Sequence, residues 1–172
     1  MTRYQLAKIV DWAGTLQSRK RMQKVAFLLQ TKGCPIDADF NLHHYGPYSQ
    51  EVSRLSNEMV QAKMLEEWSV PNMAGQQYSY KVSDDARLRV AEFEAHPDGS
   101  LQAQQMAPFE DLARELLQMD LRELEIASTI VFFRNQGHDW HVAVEKTCQF
   151  KGLPPGTTFL KKVEDLARRT FA

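Results

Sequence analysis

The sequence predicts a mainly α-helical fold with a small antiparallel β wing, in which a winged-helix-like N-terminal half packs on a C-terminal helical bundle. Three observations predict it. Apolar residues recur at helical spacing along most of the 172 residues. Two segments with strand-like alternation flank the loop "PNMAG", which contains Pro and Gly. The stretch "HPDGSLQAQQMAP" interrupts the helical periodicity between the two halves.

The first half begins with two amphipathic helices, predicted over 3–13 and 19–32. Their apolar residues fall every three or four positions, so each helix has one face to bury. Gly14 ends the first helix, Ser18 is a favourable N-cap for the second, and Gly33 ends that one.

The rest of the first half alternates between strands and helices. The segment "FNLHHY" has a period of two, as a strand does, and Ser83 is a favourable N-cap for a later helix. The resulting order of elements is that of a winged-helix domain, so we assign residues 1–96 to a winged-helix-like region. The predicted elements are a strand over 40–45, a helix over 48–63, strands over 64–70 and 76–83, and a helix over 84–95.

The second half shows helical periodicity only. We assign residues 97–108 to a linker and residues 109–172 to a C-terminal helical region. Asp120 is a favourable N-cap for a helix that is apolar on most sides between Ile126 and Phe133. Because such a helix must be covered all round, we expect it to be the central buried helix. We also expect it to dock on the first half, so that both halves fold as one cooperative unit.

The stretch "HHYGPYSQE" joins the predicted strand to the helix after it. Gly46 takes a positive φ without strain, and Pro47 has the φ of a first helical turn. We therefore expect the strand to end here and the helix to begin at Tyr48 or Ser49. The alternative is that the side chains of this stretch line a contact surface. No set of nucleophile, base and orienting group is visible in the sequence, which predicts a protein that is not an enzyme.

The histidines and cysteines do not predict a metal site. One predicted helix carries four candidate ligands on one face: His138, His141, Glu145 and Cys148. Ten residues of helix span about 15 Å, which is too far for all four to surround one ion. Neighbouring strand residues point to opposite faces, so His43 and His44 do not chelate together. There is no glycine-rich phosphate loop either, and we expect no metal and no cofactor.

Three segments occur in a recognisable order: "RKRMQKVAFLLQTKG", "FNLHHYGPYSQEVSRLSNEMVQAKML" and "DLRELEIASTIVFFRNQG". They resemble the bacterial YwgA-like family and, more distantly, are similar to Panacea-type antitoxin domains. The resemblance covers residues 18–64 and 121–151, and the segment between "WSVP" and "QYSY" departs from it. It implies a prokaryotic or phage source and no known enzyme activity. The Panacea-type relatives imply an antitoxin or adaptor role.

Positive charge is sparse in the elements that a DNA-binding winged helix uses. The net charge is −1, and the predicted third helix is neutral. Duplex binders derive much of their affinity from Lys and Arg side chains that neutralise phosphates, so we predict a protein partner first. The predicted partner-binding residues are Tyr45, Tyr48, Ser49, Gln50 and Arg54. DNA binding is the alternative, with the candidate residues Arg19, Lys20, Arg21, Lys24, Gln50 and Arg54.

The sequence predicts a cytoplasmic location with no membrane partner. The longest apolar run, "IVFF", is far shorter than a membrane span. The N-terminal segment "MTRYQLAKIVDW" carries charges and lacks an apolar signal core. In this compartment Cys34 and Cys148 are expected to be reduced thiols. The sequence specifies neither the identity of the partner nor the oligomeric state.

Overall fold

The computed structural model describes residues 1–72 and 75–171. In this part of the chain the helices are α1 (Arg3–Ala13), α2 (Arg19–Thr31), α3 (Gln50–Gln61), α4 (Asp84–Ala95), α5 (Pro97–Met106), α6 (Glu110–Gln118), α7 (Leu121–Asn135), α8 (Trp140–Lys151) and α9 (Thr158–Thr170). A 3₁₀ turn, Ala107–Phe109, joins α5 to α6. The strands are β1 (Leu16–Gln17), β2 (Asn41–His43), β3 (Gly46–Tyr48), β4 (Leu65–Asn72) and β5 (Gly75–Val82).

The strands form two small antiparallel sheets. One has the order β1–β5–β4, in which Leu16 lies opposite Tyr80 and Leu65 lies opposite Val82. The other is the two-stranded β2–β3 hairpin. The prediction of a mainly helical fold with a small antiparallel sheet is therefore confirmed.

The β4–β5 hairpin corresponds to the strands predicted over 64–70 and 76–83. The loop predicted between them includes Met73 and Ala74, which lie outside the described residues. The sheet also contains β1, which the sequence pattern does not predict. This strand has two residues, too few for a period of two to be visible.

Local capping determines most helix boundaries. The side chains of Ser18, Ser83 and Asp120 accept hydrogen bonds from backbone N–H groups at the start of α2, α4 and α7, as predicted. The helices predicted over 3–13 and 84–95 have those bounds. Side-chain caps depend on residues two or three positions away, so the local sequence is sufficient to predict them.

The strand predicted from "FNLHHY" is one arm of a hairpin and not a single strand. β2 ends at His43, and after a two-residue turn β3 returns from Gly46. Helix α3 begins at Gln50, after the N-cap Ser49, which is later than predicted. The turn predicted at Gly46 is confirmed by its φ of +88°, but the prediction that the first helical turn follows directly was wrong, because Pro47 and Tyr48 form strand β3 first. Pro47 then continues as an extended strand, which a proline accepts at a sheet edge.

The segment 97–108, assigned to a linker because helical periodicity breaks there, is mostly helical in the structure. Helix α5 spans most of it, with Pro97 at the first helical position. Gly99 packs so closely that an added Cβ would lie 1.9 Å from the Phe93 carbonyl oxygen. Pro, Asp and Gly predict turns, but the first turn of a helix also accepts them. Here the close approach to α4 requires the glycine.

Helix α7 lies at the centre of the molecule, as its apolar composition predicted. It packs against α2, β3, α8 and α9. Its buried residues are Leu124, Ile126, Ala127, Ser128, Thr129, Ile130 and Val131. Helix α2 is buried from Met22 to Leu29 and contacts both α6 and α7, so it connects the first half to the second. Cooperative folding of the two halves stays a prediction.

Candidate functional site

Most of the residues predicted to bind a partner or DNA lie around the β2–β3 hairpin, which packs against α2 and α7. A buried amide fixes the end of this hairpin. Gln23 Nε2 donates to Ser49 O at 3.0 Å, and the Ser49 N–H donates to Gln23 Oε1 at 2.8 Å. The Ser49 hydroxyl accepts from the Val52 N–H and caps α3. Ser49 is fully buried, so it does not form part of the contact surface on which it was expected.

Lys24, a candidate DNA contact, is buried beneath the hairpin. The residue is 2% exposed, and its Nζ donates to Pro47 O at 2.7 Å. Burial lowers the pKa of Lys24 to about 7; the charge of Glu125 opposes this shift, and the charges of Lys151 and Lys20 add to it. An ammonium group in this position is not accessible to the phosphates of a DNA duplex.

Helices α7 and α8 hold the hairpin from the other side. An added Cβ at Gly46 would lie 2.8 Å from Thr129 Oγ1 and 3.3 Å from Glu125 O. Lys151 Nζ donates to His44 O at 2.7 Å and to Glu125 Oε1 at 2.6 Å. The "YGPY" motif therefore has a structural role in this fold, because its backbone approaches α7 more closely than a side chain at Gly46 would allow.

The basic residues of α2 differ in their surroundings: Lys24 is buried, and the two arginines donate hydrogen bonds within the protein. Arg19 Nε donates to Tyr80 Oη at 2.6 Å, and its Nη2 donates to Glu67 Oε2 at 2.8 Å. Arg21 Nη1 donates to Met119 O at the junction of α6 and α7. The sequence cluster is therefore not a patch of free charges.

A pocket of about 320 Å³ lies between α2, the β2–β3 hairpin and α3. Basic, aromatic and hydroxyl side chains line it, among them Lys20, Lys24, His43, Tyr45, Tyr48 and Ser53. Lys20 Nζ lies 3.1 Å from the centroid of the Tyr45 ring. The Tyr48 ring stacks on the His43 ring, with 4.7 Å between centroids. The structure thus brings candidates from both predicted sets into one site.

Three of the predicted partner-binding residues are exposed. Tyr45, at the tip of the hairpin, is 48% exposed, and Gln50 and Arg54 are exposed on α3. Arg54 pairs with Glu58 one helical turn later at 2.5 Å. This pair adds no net charge to the exposed face of α3. Tyr48 is half-buried.

A larger groove, which the sequence does not predict, runs between α8 and α9. Its volume is about 770 Å³, and Val144 and Leu160 contribute to its apolar lining. Apolar residues at helical spacing predict a buried face, and periodicity does not distinguish such a face from the wall of a groove. His141, Glu145 and Cys148 also line it, but within the described residues no three His, Cys, Asp or Glu side chains are grouped so that they would hold a metal ion.

The fold and the site define a small, mainly helical protein in which a "YGPY" hairpin joins two halves beside a basic and aromatic pocket. The chain is similar to the uncharacterized protein YwgA of Bacillus subtilis strain 168, with 27% identity over 128 residues, which cover 74% of this chain and 72% of YwgA. This similarity supports the resemblance to YwgA-like proteins. No family model matches the chain. Across residues 1–72 and 75–171, none of the helices has the length and apolar character needed to span a bilayer.

Substituting Lys24 with methionine is expected to change how stability depends on pH. A lysine in the unfolded chain has a pKa near its ordinary value of 10.5, whereas the pKa of Lys24 in the folded protein is about 7. Between pH 7 and pH 9 the unfolded state therefore binds more protons than the folded state. The free energy of unfolding should rise by about 2 kcal/mol over this window, and the rise should be absent in Lys24→Met.

Urea unfolding at pH 6, 7, 8 and 9 measures this difference. Well below pH 7 the lysine is protonated in both states, so it no longer contributes to the change of the free energy of unfolding with pH. The control variant is Lys161→Met, which removes an exposed lysine from α9. Parallel pH profiles for the natural protein and Lys24→Met would show that Lys24 is not buried as described.

Proposed function

We propose that this protein is a non-enzymatic regulatory module that binds a protein partner through the tip of the β2–β3 hairpin and the exposed face of α3. The observation that carries the proposal is the exposure of Tyr45, Gln50 and Arg54, while Lys24 is buried and Arg19, although exposed, is hydrogen-bonded to Tyr80 and Glu67. Tyr and Arg are among the side chains that contribute most to protein interfaces.

The resemblance to Panacea-type domains supports an antitoxin-like or adaptor-like role in a prokaryotic or phage setting, with a cytoplasmic location. The non-enzymatic part of the proposal rests on the sequence, in which no set of nucleophile, base and orienting group is visible. Burial beneath the hairpin is the main cause of the lowered pKa of Lys24, the titratable residue of the pocket lining whose pKa departs most from its ordinary value.

Site-specific cross-linking tests the proposal. A photoreactive residue in place of Gln50, introduced in the cells that naturally make the protein, should capture one protein species. Combining it with Tyr45→Ala and Arg54→Glu should abolish that capture. The matched control is Arg89→Glu, because Arg89 is about as exposed as Arg54 and forms a one-turn ion pair with Asp85 on α4 at 2.7 Å.

Two results would contradict the proposed surface. If capture is unchanged by Tyr45→Ala and Arg54→Glu, the partner does not depend on this face. If Arg89→Glu abolishes capture as well, the effect is one of overall charge and not of the α3 face.

A winged-helix DNA-binding regulator is the second candidate. The order α1–β1–α2–β2–β3–α3–β4–β5 favours it, because it is the winged-helix order once the β2–β3 hairpin is set aside. The pairing of β1 with β5 favours it too, as does the exposure of Gln50 and Arg54 near the start of α3, the helix that enters the major groove in such domains. Two features favour it less. Residues 32–49 separate α2 from α3, whereas a helix-turn-helix has a turn of about 3–4 residues. Arg19, Arg21 and Lys24 also donate their hydrogen bonds within the protein.

A salt series separates the two candidates. We expect no measurable binding of random duplex DNA to the protein even at low salt. The variant Lys20→Gln/Arg54→Gln removes two candidate cations, one partly exposed and one exposed, and Lys161→Gln/Arg89→Gln is its charge-matched control. Two results together would favour the DNA-binding regulator. One is micromolar binding in which the logarithm of the binding constant falls with the logarithm of salt concentration, with a slope of about −0.9 per phosphate neutralised. The other is loss of this binding in Lys20→Gln/Arg54→Gln but not in the control.

A further inference from the structure

We propose that the pocket between α2, the β2–β3 hairpin and α3 binds a small anionic ligand with a planar ring, of the class of a nucleoside monophosphate. This site goes beyond the proposed protein contact, and its occupancy is measured on the protein alone. The proposal is carried by the charge of the pocket, by an incompletely bonded buried lysine and by aromatic side chains in the pocket lining.

The charge of the pocket is one-sided. Arg19, Lys20 and Lys24 line it, and none of the described lining residues is Asp or Glu. Arg19 is paired with Glu67 outside the lining. Lys20 contacts the Tyr45 ring but has no carboxylate partner within the described residues. A single-sign pocket of this kind attracts an anion.

The buried ammonium of Lys24 has hydrogen-bonding capacity that the fold does not use. A lysine has three N–H donors. Within the described residues one acceptor, Pro47 O, bonds the Lys24 ammonium. Leaving donors of a buried amino group unpaired is costly, and an anionic oxygen in the pocket supplies an acceptor and favours the protonated form of Lys24.

The pocket lining also carries aromatic rings and hydroxyl groups. The stacked rings of His43 and Tyr48 and the ring of Tyr45 offer aromatic surface for a second ring. Ser53 and Ser56 of α3 also line the pocket. A volume of about 320 Å³ lies at the lower end of small-molecule sites, which fits a ligand of mononucleotide size and not a larger cofactor.

Isothermal titration calorimetry with AMP, GMP, CMP, UMP, adenosine and inorganic phosphate tests the proposal. We expect at least one nucleotide to bind saturably, and adenosine and phosphate each to bind at least about tenfold more weakly. Absence of saturable binding by all four nucleotides at about 1 mM would overturn the proposal. Adenosine that binds as well as AMP would overturn the anion requirement, and phosphate that binds as well as the nucleotides would overturn the ring requirement.

Two lysine variants locate the ligand. Lys20→Gln changes a partly exposed residue at the pocket and should fold normally, and we expect it to weaken nucleotide binding about tenfold. Lys161→Gln removes an exposed lysine from the α8–α9 groove and should leave the affinity unchanged. Full affinity in Lys20→Gln, or loss of affinity in Lys161→Gln, would overturn the assignment to this pocket.

Discussion

Replacing Gly46 with valine is expected to lower the free energy of unfolding by about 3–4 kcal/mol. Two effects add. Gly46 has φ +88°, which a β-branched residue strongly resists. An added Cβ would also lie 2.8 Å from Thr129 Oγ1 on the central helix α7, so the hairpin or the helix must move. Chemical denaturation of the two proteins at neutral pH measures the loss.

Gly137→Val is the matched control for Gly46→Val. Gly137 has φ +89°, almost the same as Gly46, but a Cβ there would meet none of the described atoms within 4 Å. It should therefore show the conformational strain alone, about 1–3 kcal/mol. If both variants lose the same free energy of unfolding, the hairpin does not approach α7 as closely as described. No loss in Gly46→Val would show that the turn needs no glycine.

A fragment of residues 1–98 is expected to lose cooperative folding altogether and to be molten or aggregation-prone. Helix α2 packs on α7, where the Phe27 and Phe132 rings lie 6.2 Å apart between centroids. Hydrogen bonds also join the two halves: Arg114 Nη1 donates to Trp12 O at 2.9 Å. Without the second half the apolar side of α2 faces water. Domains of this size are only marginally stable, so they do not tolerate this loss of buried apolar surface.

Amide NMR spectra of the fragment test this expectation. Because residue 98 lies inside α5, a second fragment that ends at Met106 keeps that helix whole and controls for the cut. Sharp, well-dispersed spectra from either fragment would show that the first half folds on its own, and the two halves would then be independent units.

The local elements were predictable wherever a few neighbouring residues decide the conformation. The caps at Ser18, Ser83 and Asp120 and the apolar face of α7 are properties of short segments. Prediction was wrong where packing decides. Helix α5 has a turn-like sequence because Gly99 must fit against the Phe93 backbone, and no signal within the segment itself reveals this contact.

The candidate site was predicted in part. Tyr45, Gln50 and Arg54 are exposed as a contact surface requires, whereas Ser49 is buried as a helix cap. The pocket was not predicted, although the spacing of Lys20 and Lys24 contained a signal. Residues four apart share a helix face, and both of these lysines line the pocket.

By itself the sequence determined most of the helical segments of this protein, with α5 as the exception, where α2, α4 and α7 start, and that Gly46 stands at a turn. Tertiary structure decided which partners the basic side chains of α2 have, because those partners lie far away in the chain. Arg19 meets Glu67, and Arg21 meets the carbonyl of Met119. Burial beneath Pro47 shifts the pKa of Lys24. A helix is held by hydrogen bonds between residues four apart in the chain, so its periodicity can be seen in the local sequence. Burial and ion pairing depend on residues that are distant in the chain. Only the tertiary structure therefore shows which of the basic side chains have partners.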